Sequence, residues 1–243
     1  MQKHIAALKH QALIFLLKVR APLVRLLVPK SSYILLTPPF TKNTAPISKS
    51  FGFDRGTPVD RYYIESFLKS HQSDIKGRCL EIHDVDYIKK FGGTKVTKAE
   101  ALDIDTANKQ ADLYGDLRHL DSIKENTYDC LVITQTFGMI DKYQDAIKEC
   151  YRILKPKGVL LGTATSFAPM SNPKYSFWRF TPSGMKYALS KVFQPSQVEV
   201  VSYGNCLTGQ ASWVGLAVEE LTPAELDTKD EHFPLLVGFR AQK

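Results

Sequence analysis

The stretch that decides the fold lies between Arg78 and Thr163, and its segments are RCLEIH at 78–83, LDID at 102–105, YGDL at 114–117, YDCLVIT at 128–134 and LKPKGVLLGT at 154–163. Short apolar runs alternate with helical or loop segments, and acidic residues recur where the runs end. In an open parallel sheet the carboxyl ends of the strands share one edge, where ligands bind. The stretch therefore predicts an α/β fold with a doubly wound, mostly parallel sheet and a nucleoside-type ligand at its carboxyl edge.

Apolar runs and helical spacing place the individual elements. The run at 128–134 is almost continuously apolar, as expected for a parallel strand covered on both faces. The pattern predicts further strands at 78–82, within 99–104, from 158, at 198–203 and at 235–241, and helices at about 61–71, 143–154 and 182–192.

The order and spacing of these segments resemble a class I S-adenosylmethionine-dependent methyltransferase over about residues 54–237, most specifically in the block 128–163. Three motifs resemble a methyltransferase type 11-like subgroup that is often found beside glycan-assembly genes: RGTPVDRYYIE at 55–65, WRFTP at 178–182 and EELTPAEL at 219–226. The resemblance implies a seven-stranded Rossmann-like sheet in a domain at 54–243, with S-adenosylmethionine as cofactor.

The resemblance also implies where the cofactor binds. The family's first strand usually leads into a glycine-rich turn that lets the backbone approach the ligand. Here the turn reads EIHDVDY at 81–87, and His83 stands where the subgroup has its single glycine. Glu81 is expected to orient this loop or to accept from the cofactor's ammonium, while His83 either contacts the methionine moiety or is a plain loop residue.

Further cofactor contacts are implied at the following strand ends. Asp105 is the candidate for the ribose hydroxyls, with Asp103 as a competitor and a turn-capping role as the alternative. Asp116 and the neighbouring Leu117 match the element that binds adenine. Beyond the fourth strand, the remaining cofactor candidates are Gln135 and Phe137, and a plain packing role is the alternative for Phe137.

Acceptor and catalytic residues follow from the same resemblance. Arg55 and Tyr62 precede the first strand, in a segment that often folds over the ligand, although a surface or capping role is equally compatible. In the insertion after the fifth strand, Trp178 and Phe180 would give apolar walls and Arg179 a planar fork for an anionic or hydroxyl-rich acceptor. A hydroxyl acceptor needs a proton acceptor, and the candidates for this role are His83, Asp84 and Asp141.

The N-terminal residues 1–53 predict a basic amphipathic helix followed by a linker. Residues 1–30 contain six lysines and arginines and no acid, with apolar residues at helical spacing. Such a helix suits peripheral contact with the inner face of a membrane, and packing on the domain or on a second subunit is the alternative. Because the longest uncharged run is far below the ~20 residues of a bilayer span, a transmembrane helix is not expected.

The charge distribution and the cysteine content argue against a nucleic-acid-binding groove and against a metal site. The net charge is +7, and residues 1–30 account for most of it, which argues against a basic nucleic-acid groove on the domain. The four cysteines form no C-x-x-C pair, so we expect a reducing, cytoplasmic environment and no metal site. The sequence thus predicts an S-adenosylmethionine-dependent O-methyltransferase acting on a sugar, glycan or lipid-linked small acceptor. The alternative is a non-catalytic binding or scaffold module with the same fold.

Overall fold

The computed structural model of the chain describes residues 44–243. The expected basic helix and most of its linker therefore lie outside the described residues. The helices are α1 (Val59–Ser70), α2 (Asp86–Gly92), α3 (Tyr143–Ile153), α4 (Pro182–Leu189), α5 (Cys206–Val214) and α6 (Pro223–Asp227). The strands are β1 (Gly77–Ile82), β2 (Val96–Asp103), β3 (Leu113–Tyr114), β4 (Tyr128–Thr134), β5 (Leu154–Thr165), β6 (Val198–Tyr203) and β7 (Leu236–Gln242).

All seven strands form one sheet in the order β3-β2-β1-β4-β5-β7-β6. Neighbouring strands from β3 to β5 pair in parallel, while β7 is antiparallel to both β5 and β6. The chain winds outward in one direction through β1, β2 and β3 and in the other through β4 and β5. The order therefore reverses between β1 and β4, which is the point where open α/β sheets bind ligands. This architecture confirms the predicted fold class.

Helices cover both faces of the sheet because the central strands are apolar on both sides. In β4, Leu131 and Ile133 pack in one core with residues of α3 and α4. The alternate residues Cys130 and Val132 pack in the other core, with residues of α1, α2 and α5. Successive side chains of a strand point to opposite faces, so one continuous apolar run supplies both cores.

The predicted strands and helices agree with the structure except at several ends. β4 and β6 have the predicted bounds, and the helix expected at 143–154 ends one residue earlier. β5 begins at Leu154 rather than near Gly158, because Leu154 already pairs with Tyr128. β2 begins at Val96, and its first polar residues are exposed, which hid them from an apolar pattern.

Candidate active site

Glu81 lies near the end of β1 and is almost completely buried. Its carboxylate accepts hydrogen bonds from the backbone N–H groups of Tyr87 (3.3 Å) and Ile88 (2.9 Å), in the first turn of α2. Burial raises the pKa of Glu81 to about 8, and these two hydrogen bonds offset only part of that effect. Glu81 thus orients the loop after β1, one of the two roles expected for it.

His83 occupies the glycine position in a conformation that normally favours glycine, with φ at 78°. Its backbone N–H donates to the Leu102 carbonyl, and its ring Nδ1 lies 2.9 Å from Asp103 Oδ2. The Asn108 amide donates to the His83 carbonyl (2.7 Å) and also to Asp103 Oδ2 (2.7 Å). These contacts keep the left-handed turn in place without the glycine and direct the ring toward β2.

The two acids that compete for the ribose position differ in placement. Asp103 is the last residue of β2, and its side chain is largely buried. Burial disfavours its ionisation, but hydrogen bonds from the Asp105 N–H, Asn108 and His83 outweigh that effect and lower the pKa of Asp103. Asp105 lies two residues beyond the strand, exposed, and accepts from the Ala107 N–H (2.9 Å) as a turn cap. The strand-end geometry therefore favours Asp103.

Asp116 joins a three-residue ionic cluster that the sequence analysis missed. Arg118 donates to both oxygens of Asp116 and, through Nη1, to Asp141 (2.5 Å). Hydrogen bonding to Arg118 lowers the pKa of Asp116, and the two carboxylates raise the pKa of Arg118. Asp141 was a candidate catalytic acid or base; here it accepts from Arg118 and from the Lys142 N–H. The sequence YGDLR at 114–118 places Arg118 two residues after Asp116, which was a local sign of this ion pair. The second partner of Arg118, Asp141, is 23 residues away.

Two further cofactor candidates are packed into the protein. Phe137 is completely buried and stacks on Phe239, with ring centroids 5.6 Å apart. This placement corrects the expectation of a pocket wall, because the ring has no exposed surface to offer a ligand. The Leu117 side chain also belongs to the core, which leaves only its backbone for the expected contact with adenine.

Gln135 follows β4 directly, in a left-handed conformation with φ at 53°. Its Oε1 accepts from the Thr165 hydroxyl at the end of β5 (2.9 Å).

Asp60 lies partly buried in the first turn of α1. Burial raises the pKa of Asp60 despite the nearby Arg61. Arg61 in turn donates to the Tyr87 hydroxyl (2.8 Å) in the first turn of α2, which ties the start of α1 to the segment after β1.

The insertion after β5 carries the three acceptor candidates. Trp178 is exposed and donates through Nε1 to the carbonyls of Ile140 (3.1 Å) and Asp141 (3.0 Å). Arg179 is exposed, and its guanidinium donates to the Trp178 carbonyl. Phe180 is buried and meets Tyr143 edge to face, so its role is to anchor the insertion in the core.

Arg55 and Tyr62 are engaged with the C-terminal motif rather than with the carboxyl edge. Arg55 forms a two-pronged ion pair with Glu220, and the Tyr62 hydroxyl donates to Asp227 (2.6 Å). Gly56 allows the close approach, because a Cβ there would lie 2.3 Å from a Glu219 carboxylate oxygen. The motifs at 55–65 and 219–226 therefore form one structural unit. This position corrects the expectation that Arg55 and Tyr62 contact the acceptor.

The hydrogen-bond acceptors at this edge suit an adenosine-type cofactor. Glu81, Asp103 and Asp116 lie at the carboxyl ends of three neighbouring strands, and carboxylates accept from an ammonium, from ribose hydroxyls and from an exocyclic amine. The Asp103 carboxylate is held in place by Asn108 and by the His83 ring. Within residues 44–243, no group of three His, Cys, Asp or Glu side chains could hold a metal ion, and no helix is long and apolar enough to cross a membrane.

Comparison with known proteins agrees with the fold. Residues 78–162 match the family described as Methyltransferase domain, so the chain carries a methyltransferase enzyme domain whose cofactor is S-adenosylmethionine. The comparison with curated proteins found no match. Residues 78–162 span Glu81, His83, Asp103, Asp116 and Gln135 and stop short of Trp178.

Solved structures show the same fold at low sequence identity. A SAM-dependent methyltransferase from Archaeoglobus fulgidus has a TM-score of 0.51 and 16% identity, over 75% of this chain and 94% of its own. An S-adenosylmethionine-dependent methyltransferase from Mesorhizobium loti has a TM-score of 0.50 and 11% identity, over 76% and 98%. The [4+2]-cyclase SpnF has a TM-score of 0.52 and 14% identity, over 78% and 83%. Because these structures include a cyclase, the shared fold alone does not assign the reaction.

Proposed function

We propose that this domain transfers a methyl group from S-adenosylmethionine to a hydroxyl oxygen of a sugar, glycan or lipid-linked small acceptor. The observation that carries the proposal is the partly buried Asp60 carboxylate in the first turn of α1, whose neighbour Arg61 bonds to Tyr87 in the segment after β1. A hydroxyl group must lose its proton as it is methylated, and a carboxylate with a raised pKa is a better proton acceptor than an exposed one. Asp60 is therefore the base that this proposal assigns.

The three residues first considered for proton transfer are less suited to it than Asp60. His83 is directed toward Asp103, and Asp141 is paired with Arg118. Asp84 is engaged as a local turn cap, since it accepts from the Asp86 N–H (2.9 Å). Asp60, in contrast, is partly buried, and this burial raises its pKa despite the nearby Arg61, which favours uptake of a proton.

The acids at the first three strand ends would hold the cofactor: Glu81 toward the ammonium, Asp103 toward the ribose and Asp116 toward the adenine. When bound, S-adenosylmethionine supplies an activated methyl group on a sulfonium. The chain's own residues align the acceptor, exclude water and accept the proton at Asp60. Trp178 and Arg179 would line the acceptor side, because both are exposed on the insertion after β5 and an aromatic face beside a guanidinium suits a hydroxyl-rich sugar.

The substitution Asp60→Asn tests the proposal because it keeps the shape of the side chain and removes the base. We expect methyl transfer from labelled S-adenosylmethionine to hydroxyl-bearing oligosaccharide and lipid-linked acceptors to fall by about 10²- to 10⁴-fold. S-adenosylhomocysteine binding, measured by calorimetry, should stay unchanged. Glu65→Gln on the same helix, whose carboxylate pairs with Lys90, is the matched control. Full turnover in Asp60→Asn would refute the role of Asp60.

A non-catalytic binding module is the second candidate, and the loop after β1 favours it. Neither family glycine is present, and Asp103 is already surrounded by donors from the protein itself. Calorimetry separates the two candidates, because a methyltransferase binds S-adenosylmethionine and S-adenosylhomocysteine, whereas a module that has lost the cofactor binds neither.

A further inference from the structure

Large apolar side chains cluster on the surface around the mouth of the candidate site. The insertion after β5 exposes Phe167, Met170, Tyr175, Phe177 and Trp178, with exposed fractions between 41% and 55%. From α5, Leu207 and Trp213 are also exposed. We call these seven residues the rim face. Single exposed apolar residues are ordinary, but a contiguous group of this kind marks an interaction surface.

The rim face is held in place rather than loosely displayed. Phe167 stacks on Trp213 with ring centroids 4.8 Å apart, which joins the insertion to α5. The Phe167 N–H donates to the Leu235 carbonyl (3.1 Å) at one end of the insertion. At the other end, the N–H groups of Phe177 and Trp178 both donate to the Gly138 carbonyl. The aromatic rings are therefore exposed on a backbone that hydrogen bonds fix at both ends.

The insertion that carries most of the rim face is basic. No Asp or Glu occurs between residues 150 and 198, while the insertion itself carries Lys174 and Arg179. Trp178 donates to the backbone carbonyl of Asp141, whose carboxylate is paired with Arg118. Exposed aromatic rings on a basic insertion match a surface of anionic lipid head groups over apolar chains.

We propose that the rim face docks on an anionic lipid surface and brings the carboxyl edge of the sheet to acceptors anchored there. This docking proposal rests on the proposed methyltransferase function. Its consequence is that, among the acceptors considered, the lipid-linked class is selected. Trp rings favour the boundary between head groups and acyl chains, and each nearby cation strengthens attraction to anionic lipid. The docking surface is distinct from residues 1–30, for which membrane contact was predicted from the sequence.

The two tryptophans of the chain allow a direct test, because both Trp178 and Trp213 belong to the rim face. The full chain is mixed with phosphatidylcholine vesicles, with or without phosphatidylglycerol, and with acyl chains that are plain or brominated. We expect blue-shifted tryptophan emission with the anionic vesicles and quenching by the brominated chains. The double substitution Phe167→Ala and Phe177→Ala should weaken vesicle binding about tenfold, equivalent to ~1.4 kcal/mol. Tyr187→Ala, which removes an exposed aromatic residue on α4, is the control and should bind as the wild type does.

Two outcomes would overturn the proposal. Vesicle binding without quenching would mean that another part of the chain, such as residues 1–30, contacts the lipid. Unchanged emission together with a dimer in sedimentation that Phe167→Ala dissociates would mean that a second copy covers the rim face. S-adenosylhomocysteine binding measured without vesicles reports on the proposed function separately, so its failure is distinguishable from a failure of docking.

Discussion

The two halves of the carboxyl edge are built in different ways. Over β1 and β2, the polar side chains of Glu81, His83, Asp103 and Asn108 bond to one another or to nearby backbone N–H groups. Over β4 and β5, one polar pair, Gln135 and Thr165, lies beside an apolar rim open to solvent. In the β1 and β2 half, local hydrogen bonds fix the polar side chains that a polar ligand would meet. In the β4 and β5 half, an apolar surface stays open for a partner to cover.

The largest expected effect tests the apolar foundation of the β4 and β5 half. Phe137→Ala should lower the free energy of unfolding by about 4 kcal/mol, because it leaves a cavity against Phe239. Phe177→Ala on the rim face should cost less than ~0.5 kcal/mol. Denaturant unfolding of both variants measures the difference. A small loss for Phe137→Ala would mean that this ring belongs to the pocket after all.

The next effect concerns Glu81 and its dependence on pH. Its pKa of about 8 in the folded protein lies above the ordinary 4.5, so between these values the folded chain holds a proton that the unfolded chain releases. This contribution is complete below about pH 4.5 and is lost progressively as the pH rises toward 8, by about 3 kcal/mol at pH 7. Denaturant unfolding across this range measures it, and Glu81→Gln should remove the slope.

Asp103, also in the β1 and β2 half, should affect the pH dependence of the free energy of unfolding in the opposite direction and serves as the control. Its pKa is lowered, so its contribution is present above the unfolded pKa and is lost as the pH falls through the folded one. Asp103→Asn should leave the slope between pH 5 and 8 unchanged, and it should weaken the acid-side loss of stability. A slope that persists in Glu81→Gln would place its origin in another group.

A smaller effect tests the turn that replaces the family glycine. His83→Val should cost about 2 kcal/mol, because a β-branched residue resists a φ of 78° and cannot bond to Asp103. His83→Gly loses the same contact but relieves the backbone, so we expect a change within ~1 kcal/mol. Thermal and denaturant unfolding compare the two variants. Equal losses would show that backbone strain at residue 83 has no role.

The smallest expected effect distinguishes the two acids after β2. Asp103→Asn should weaken S-adenosylhomocysteine binding about tenfold, which is ~1.4 kcal/mol, because the amide replaces one of the two acceptor oxygens with an NH2 donor. Asp105→Asn should change the affinity less than about threefold. Calorimetry at constant ionic strength measures both. A larger loss of affinity in Asp105→Asn than in Asp103→Asn would support Asp105 as the ribose ligand, as the sequence pattern first predicted.

The fold was predictable because its signals are local. β4 has the predicted bounds since seven consecutive residues are nearly all apolar, and α3 ends near Pro156 because proline and glycine stop the helix. The acids at strand ends were also visible, since their positions depend only on where an apolar run stops. The choice between Asp103 and Asp105 needed the register of β2 against β3.

Several site residues could not be predicted because their partners are distant in sequence. The second carboxylate of Arg118 is 23 residues away, and Arg55 meets Glu220 across 165 residues. The direction of the Phe137 ring depends on Phe239 in the last strand. Asp60 lies in the motif at 55–65, but its raised pKa depends on how the folded chain buries it, which a spacing pattern does not show.

The contacts between the Arg55–Tyr62 segment and the C-terminal motif bear on how the protein is made. The helix that carries Asp60 begins within this segment, and the segment bonds to residues 219–227. β7 is also inserted between β5 and β6. A nascent chain that still lacks residues 219–242 therefore lacks the partners of this segment, and such non-local pairing is slow to form. We expect the start of α1, with Asp60, to take its place only after those residues have been made.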